Sequence, residues 1–482
     1  MEIRNKKWDD DEFQEARREV LAMWPTGKEI DLDEAIHYQL SMPPGMNYAK
    51  KVEEAKKNGK SLIRTDSGVA TIEGEIELFK HLQDEGHADL LGTTIDSMTR
   101  TCQFERAEQG LEESLRTGKS VLNGFPIVAH GVEQTRRVIE AVALPVQPRM
   151  NATDVRLIVE IALASGHTAS SNGAMMSFWH YSKDVPLERI IRNAQYQYRL
   201  YGYYEERGVP ILAEPSGGFS FSTPYSIPFA GNVIDALMAT EQGAKNIICS
   251  VFMQGNLAQD IAAITTLPKI VEGYLNRFGH GGVNVSVMSS CWGGIFPEDQ
   301  GEAYGIISLS AVTGMLGKAQ VIHLKTIHER LTIPTKEANA SSLRAAKKIV
   351  DMLQDQKIDM DNEKVKIEAE MLELETSAIV DRIIDFGDGD VVVGAIRGVE
   401  AGVLDQPFCT TKYVAGRVMG VRDNEGAVRY LDHGNLPFTK KVVEFHKEKI
   451  REREKAQGKK VDYGTVIDDI YAISRGSLVT RK

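Results

Sequence analysis

Between about residue 60 and residue 338, short apolar runs alternate with helical patterns, and this alternation limits the fold more than any other feature of the chain. The candidate strands are SLIRTDSGVA, ADLLGTTID, SVLNGFPIVA, LPVQPRM, TASSNGAM, VPILAEP, NIICSVFM, VNVSVMSSCW and QVIHLKTI. Between them lie stretches such as TDVRLIVEIALASG, where Val155, Ile158, Val159 and Ala162 form an i, i+3, i+4, i+7 stripe that Thr153 or Asp154 can cap. Strands joined by connections of a dozen or more residues are expected to lie parallel, with helical crossovers. Repeated over this many units, the pattern predicts a closed (β/α)8 barrel of the TIM type. Nine candidate strands are one too many, so one of them belongs outside the barrel.

The flanks differ. Residues 1–60 form a charged N-terminal helical extension, with YAKKVEEAKKNGK stopping at Asn58-Gly59. The barrel is expected over 61–380. Residues 381–482 form a C-terminal α+β accessory region, in which GRVMGVRDNEGAVRYLDHG predicts a β-hairpin turning at Asn424 and Gly426.

Composition narrows the function. A net charge of -11 over 482 residues argues against a nucleic-acid or membrane-surface partner. Four scattered cysteines, Cys102, Cys249, Cys291 and Cys409, fit neither a disulfide framework nor a zinc site, and a reducing cytoplasm is the default. The charged N-terminus lacks the apolar region of a secretory signal, and no run is long enough to span a membrane.

In a parallel barrel the catalytic groups sit at the C-terminal strand ends. There the chain places Arg64 and Asp66, then Thr94, Asp96 and Arg100, then Asn123, Arg149 with Asn151, and Glu214. Arg64, Arg100 and Arg149 offer the rigid paired donors that grip a carboxylate, although each can also salt-bridge a neighbouring helix. After the last strand comes KTIHE, with Lys325 and Glu329. This is a solvated loop, a Schiff-base lysine, or a pair that hydrogen-bonds the hydroxyls of a sugar or nucleoside. His323 on its apolar strand reads as a satisfied core residue, and Phe219 and Trp292 as packing aromatics. The chain has no GxGxxG or GxxxxGK[ST] phosphate loop.

The segments KKW…WPTGKE, LQDEGHADLL, VLNGFPIV, YYEERGV, LAQDIAA, GIFPED, KTIHE…IPTKEANA and KYVAGRVMGVRDNEGAVRYL carry a resemblance over essentially the whole chain. It resembles the epsilon subunit family of glutamate mutase (methylaspartate mutase), an adenosylcobalamin-dependent carbon-skeleton isomerase. The resemblance implies a barrel whose mouth admits the cofactor's deoxyadenosyl group. It implies that Arg100 and Arg149 hold substrate carboxylates and that Lys325 and Glu329 lie against the cofactor ribose. Asn123, Thr94 and Tyr181 match residues near the family's pocket.

None of the eleven histidines sits in the D-x-H-x-x-G motif that ligates cobalt. The family implies that a small flavodoxin-like subunit brings that histidine, in a heterotetramer built on a homodimer of this chain. Three positions depart from the family pattern: Asp66 stands where the family has Arg, Ser171 where it has Glu, and Ser177 where it has Tyr. All three are substrate-contacting positions in the family. The expectation is therefore a mutase with an altered pocket, accepting a related α-amino acid with a larger, neutral or basic side chain. Asp66 would accept an ammonium group, with Arg64 either replacing the lost arginine or pairing with Asp66. Two alternatives stand beside this: a Schiff-base barrel lyase using Lys325, and a non-catalytic paralogue.

Overall fold

The computed structural model describes residues 3–218, 222–329, 333–356 and 358–481. Phe219 and Arg330 fall outside them.

Eight parallel strands close into a barrel in chain order. They are β1 (Leu62–Ser67), β2 (Leu91–Thr94), β3 (Val146–Arg149), β4 (Ala169–Ser171), β5 (Leu212–Glu214), β6 (Asn246–Phe252), β7 (Asn284–Ser290) and β8 (Val321–Leu324). Closure is made by β1 on β8, in register from Leu62↔Val321 to Thr65↔Leu324. Helices follow each strand, from Ile72–Asp84 after β1 to Lys336–Leu353 after β8. The supernumerary run is SVLNGFPIVA. Its Asn-Gly and Pro126 break extended pairing, and among the described residues of the run only Phe125 pairs with the sheet side, through a bridge to Ile95 and an N–H donated to the Thr94 carbonyl at 2.8 Å. The segment therefore caps the end of β2. The helix Arg156–Ala164 starts two residues later than a Thr153 cap would place it. Asp154 instead accepts from the Arg156 backbone N–H and pairs with its guanidinium at 2.7 Å.

The N-terminal extension supplies the barrel floor. The helix Tyr48–Lys57, capped by Asn47 and stopped at Asn58 with Gly59 at φ +62°, inserts Tyr48, Ala49 and Val52 at the barrel's N-terminal end. They pack on Leu90, Ala169, Leu212, Ile248, Met288 and Val321 in one apolar cluster. Burial of this kind contributes roughly 1.5–3 kcal/mol per large aliphatic side chain.

Beyond the barrel, the helix Glu363–Phe386 runs across residue 380 and packs on the helices that follow β5 and β6. The hairpin comprises β9 (Met419–Arg422) and β10 (Val428–Asp432), antiparallel, with Gly426 at φ +89° in the turn. No helix among the described residues is long and apolar enough to cross a membrane.

Candidate active site

Side chains alternate along a strand, so residues two apart share a face. Above the apolar floor the next inward positions are polar: Arg64 on β1, Gln147 on β3, Glu214 on β5, Ser250 on β6 and His323 on β8. Asp66 and Arg149 stand at the top of β1 and β3. Gly92 makes room for this layer, because a Cβ there would lie 2.2 Å from Asp66 Oδ1.

These groups form one ion network. Arg149 Nε is 2.9 Å from Asp66 Oδ2, and its Nη1 donates to Glu214 Oε1 at 2.7 Å and to Ser171 Oγ at 2.8 Å. Glu214 also accepts from Gln147 Nε2 (3.0 Å) and Ser250 Oγ (3.1 Å). Arg64 is fully buried. It donates Nη1 to Tyr48 Oη at 3.0 Å and sits 3.7 Å from Glu214 and 3.6 Å from Asp66. Arg64 is thus anchored on the floor helix below the mouth, in contact with both carboxylates. Buried charges persist only when paired and hydrogen-bonded, and here two guanidiniums face two carboxylates.

Burial works to raise the Asp66 carboxyl, but the His323 ring, Arg64 and Arg149 outweigh it and hold Asp66 well below the usual carboxylate range. His323 is pushed below its ordinary value by burial. Its Nε2 lies 2.9 Å from Asp66 Oδ2. His323 is a satisfied buried residue, as its strand position suggested, and it also lines the cavity.

A cavity of about 200 Å³ opens above the network. Asp66, Arg149 and His323 form its base, Met176, Tyr181 and Phe252 one wall, and Lys325, Glu329 and Asn339 the rim. Lys325 and Glu329 are ion-paired with each other. Arg100, on the short helix Ser97–Arg100, donates Nε to the Ile95 carbonyl at 3.0 Å and lies 5.8 Å over the Tyr181 ring. Asn123 accepts from the Ser97 N–H at 2.9 Å, which ties the loop after SVL to that helix. Thr94 shares the inward face of Gly92 at the end of β2. Ser177 is fully buried and donates to Asn172 Oδ1 at 2.8 Å, away from the cavity lining.

The sequence singles out Asp66, Arg149, Tyr181, Lys325 and Glu329, and the fold gathers these five around one cavity. Sequence alone assigns no role to Glu214, Gln147, Ser250 or Tyr48. Glu214 was visible as the polar end of VPILAEP. Tyr48 carried no signal, because it enters from a helix outside the strand alternation.

A closed (β/α)8 barrel with a paired-charge cavity at its C-terminal mouth has the architecture of a barrel enzyme. The chain belongs to the methylaspartate mutase E chain family, whose pattern it matches over residues 42–482. It is 43% identical over 482 residues to the glutamate mutase epsilon subunit of Desulfitobacterium hafniense (strain Y51), covering 100% of this chain and 99% of that protein. It is 38% identical over 484 residues to the protein of the same name from Escherichia coli O157:H7, covering 100% of both. With the Haloarcula marismortui protein of that name it shares 36% identity, over 99% of this chain and 96% of the other. Among solved structures, a truncated 3-deoxy-D-arabino-heptulosonate 7-phosphate synthase from Thermotoga maritima aligns with a TM-score of 0.33 at 16% identity, covering 62% of this chain and 89% of that one. A likeness that low adds nothing to the barrel read from strand pairing.

Proposed function

We propose that this chain is the barrel subunit of an adenosylcobalamin-dependent carbon-skeleton mutase whose natural substrate is an α-amino acid other than glutamate, with a neutral or basic side chain. One observation carries the substrate part: Arg149, the guanidinium that faces the cavity, is already held by Asp66 and Glu214. A glutamate site needs cationic donors for two carboxylates, and Asp66 stands where the family has one of them.

The cavity rim suits the cofactor's nucleoside. Lys325 and Glu329 provide a donor and an acceptor there, and Asn339 keeps its Oδ1 buried without a hydrogen-bond partner. Ribose hydroxyls both donate and accept, so they match such a set. When bound, adenosylcobalamin supplies homolytic activation of an unreactive carbon–hydrogen bond. The chain's own task is to bind and orient. Arg149 receives the substrate carboxylate, and Arg100, behind Tyr181 and outside the cavity lining, positions that ring. The barrel wall excludes water, and the rim fixes the nucleoside above the substrate.

The cobalt-ligating histidine comes in this reading from a small flavodoxin-like subunit, in a cytoplasmic assembly built on a homodimer of this chain. The Schiff-base alternative is weaker because Lys325 is engaged by Glu329. Lysines that act as amines are freed by an apolar pocket or by a second cation.

The test is anaerobic incubation with adenosylcobalamin and the small subunit, scored by electron paramagnetic resonance for cob(II)alamin across a panel of amino acids. A signal that needs the small subunit and is strongest with an amino acid other than glutamate is expected. Glutamate turnover exceeding that of every other panel member would overturn the substrate part. Borohydride trapping of substrate on Lys325, without cobalamin, would overturn the mutase part.

A further inference from the structure

The cavity base sets a guanidinium and a carboxylate side by side, Arg149 Nε and Asp66 Oδ2 being 2.9 Å apart. Arg149 has Nε and Nη1 engaged, while Nη2 has no hydrogen-bond partner among the described residues and is not sealed from the cavity. An α-amino acid head carries the complementary pair, a carboxylate and an ammonium on one carbon. Laid against this base, its carboxylate meets Arg149 Nη2 and its ammonium meets Asp66 Oδ2, the oxygen that also faces Arg149 Nε and His323 Nε2.

Once the head is placed, no opposite charge remains for the side chain among the described residues of the lining. Lys325 and Glu329 neutralise each other at the rim. His323 is directed at Asp66. Glu214 lies below the cavity, only 2% exposed and bonded to Arg149, Gln147 and Ser250. Asp66 Oδ1 is buried against Gly92, so it cannot serve a second cation. What remains is the apolar surface of Met176, Phe252, Leu324 and Pro334 with the Tyr181 ring, and two uncharged polar groups, Thr326 and Asn339. A second carboxylate or a side-chain ammonium placed there would be desolvated with no opposite charge to meet it, which is strongly unfavourable.

We infer that Arg149 and Asp66 form a receptor for a zwitterionic amino-acid head, and that the substrate side chain is uncharged. This rests on the amino-acid mutase reading above and narrows its neutral-or-basic choice to neutral.

The experiment uses the chain assembled with the small cobalamin subunit. Calorimetric titration compares leucine and glutamine, both uncharged, with glutamate and lysine. At least tenfold tighter binding of an uncharged amino acid than of either charged one is expected. Equal or tighter binding of glutamate or lysine overturns the inference, as does failure of all four to bind. Asp66→Arg provides the second arm: it removes the ammonium partner and adds a cation, so the glutamate-to-leucine affinity ratio should rise at least tenfold. An unchanged ratio in a folded variant overturns the proposal. Cob(II)alamin formation is recorded separately. Selective binding of an uncharged amino acid with no cob(II)alamin from any panel member would sink the mutase reading while leaving the receptor intact.

Discussion

Two arginines, Arg149 in the barrel and Arg429 in the C-terminal layer, are each held by two carboxylates, yet they end differently. Arg429 donates Nε to Asp423 at 2.8 Å and Nη1 to Glu368 at 2.9 Å, and its Nη2 also bonds Glu368. Every nitrogen is engaged, and the side chain is almost fully buried. Arg149 engages only Nε and Nη1 and remains open to a cavity. Around it lie looser contacts of 3.6–3.7 Å from Arg64, and polar atoms without partners at Arg64 Nε and Asp66 Oδ1. A saturated cluster fixes one element on another. An unsaturated one holds a side chain in place and keeps one edge for a ligand. The difference separates an arginine that staples the hairpin to the helix Glu363–Phe386 from one that can recognise a substrate.

The largest effect is expected where the saturated cluster is broken. Arg429→Met leaves Glu368 and Asp423 buried without their cation, and removing one partner of a buried pair costs about 3–5 kcal/mol. Urea unfolding should show that loss, while the relative affinities for different amino acids stay unchanged. If Arg149→Met destabilised the fold as much as Arg429→Met, the distinction between the two clusters would fail.

Glu214→Gln tests the other side of the comparison. The neutral amide leaves Arg149 with one counter-ion and takes from Arg64 a carboxylate 3.7 Å away. A substrate-binding arginine displaced by about 1 Å can lower the rate on the order of 100-fold. We therefore expect kcat/KM to fall by about that factor, with a smaller stability loss than for Arg429→Met. Unchanged kinetics with a large stability loss would make Glu214 purely structural.

Glu329→Gln concerns the rim, where the pair with Lys325 is partly solvated. Losing a hydrogen bond to a charged group costs roughly 1.5–3 kcal/mol when the bond is made to a ligand. That loss should appear in cofactor affinity or in cob(II)alamin formation, and the unfolding midpoint should not move. Equal cofactor affinity in the two proteins would return KTIHE to an ordinary solvated loop.

What was legible in the sequence follows from which physical signals are local. Eight of the nine apolar runs became barrel strands, because strand–helix periodicity is encoded within each segment. SVLNGFPIVA misled because hydrophobic content alone does not separate a strand from a covering loop, and Asn123-Gly124 and Pro126 decided the matter. Strand-end position flagged Asp66 and Arg149, but not that they pair across β1 and β3, which are neighbours of β2 rather than of each other. The link from His323 to Asp66 exists only because the barrel closes β8 on β1. Tyr48 beneath Arg64 depends on how the N-terminal helix docks. Partner identities that arise from closure or docking are not written in any one segment.

The comparison sharpens at two buried carboxylates that have no cationic partner among the described residues. Glu75 accepts from Thr93 Oγ1 at 2.5 Å and from the Val69 N–H at 2.8 Å, tying the loop after β1 to the outer face of β2. Asp235 accepts from the Ala174 and Met175 N–H groups at 3.1 and 3.2 Å, at the start of the helix that carries Tyr181. Burial pushes both acids up to about 8. In the unfolded chain each titrates near 4, so between about pH 4 and pH 8 the native state holds protons that the unfolded state has released. Their contribution to stability is therefore complete below pH 4 and is lost as pH rises through 8. Asp66, held low by its cations, has the opposite sign: its contribution is present above about pH 4 and is lost on acidification. Glu75→Gln keeps one donor and one acceptor but cannot ionise, so it removes one of the upward-shifted groups. Relative to wild type, the variant should gain at least the ~1.4 kcal/mol of a single pK unit on going from pH 5 to pH 8. Thermal unfolding of both proteins at the two pH values reads this directly. A gap between them that is the same at pH 5 and pH 8 would mean that Glu75 is ionised in the fold, and that a buried carboxylate here can do without a cation.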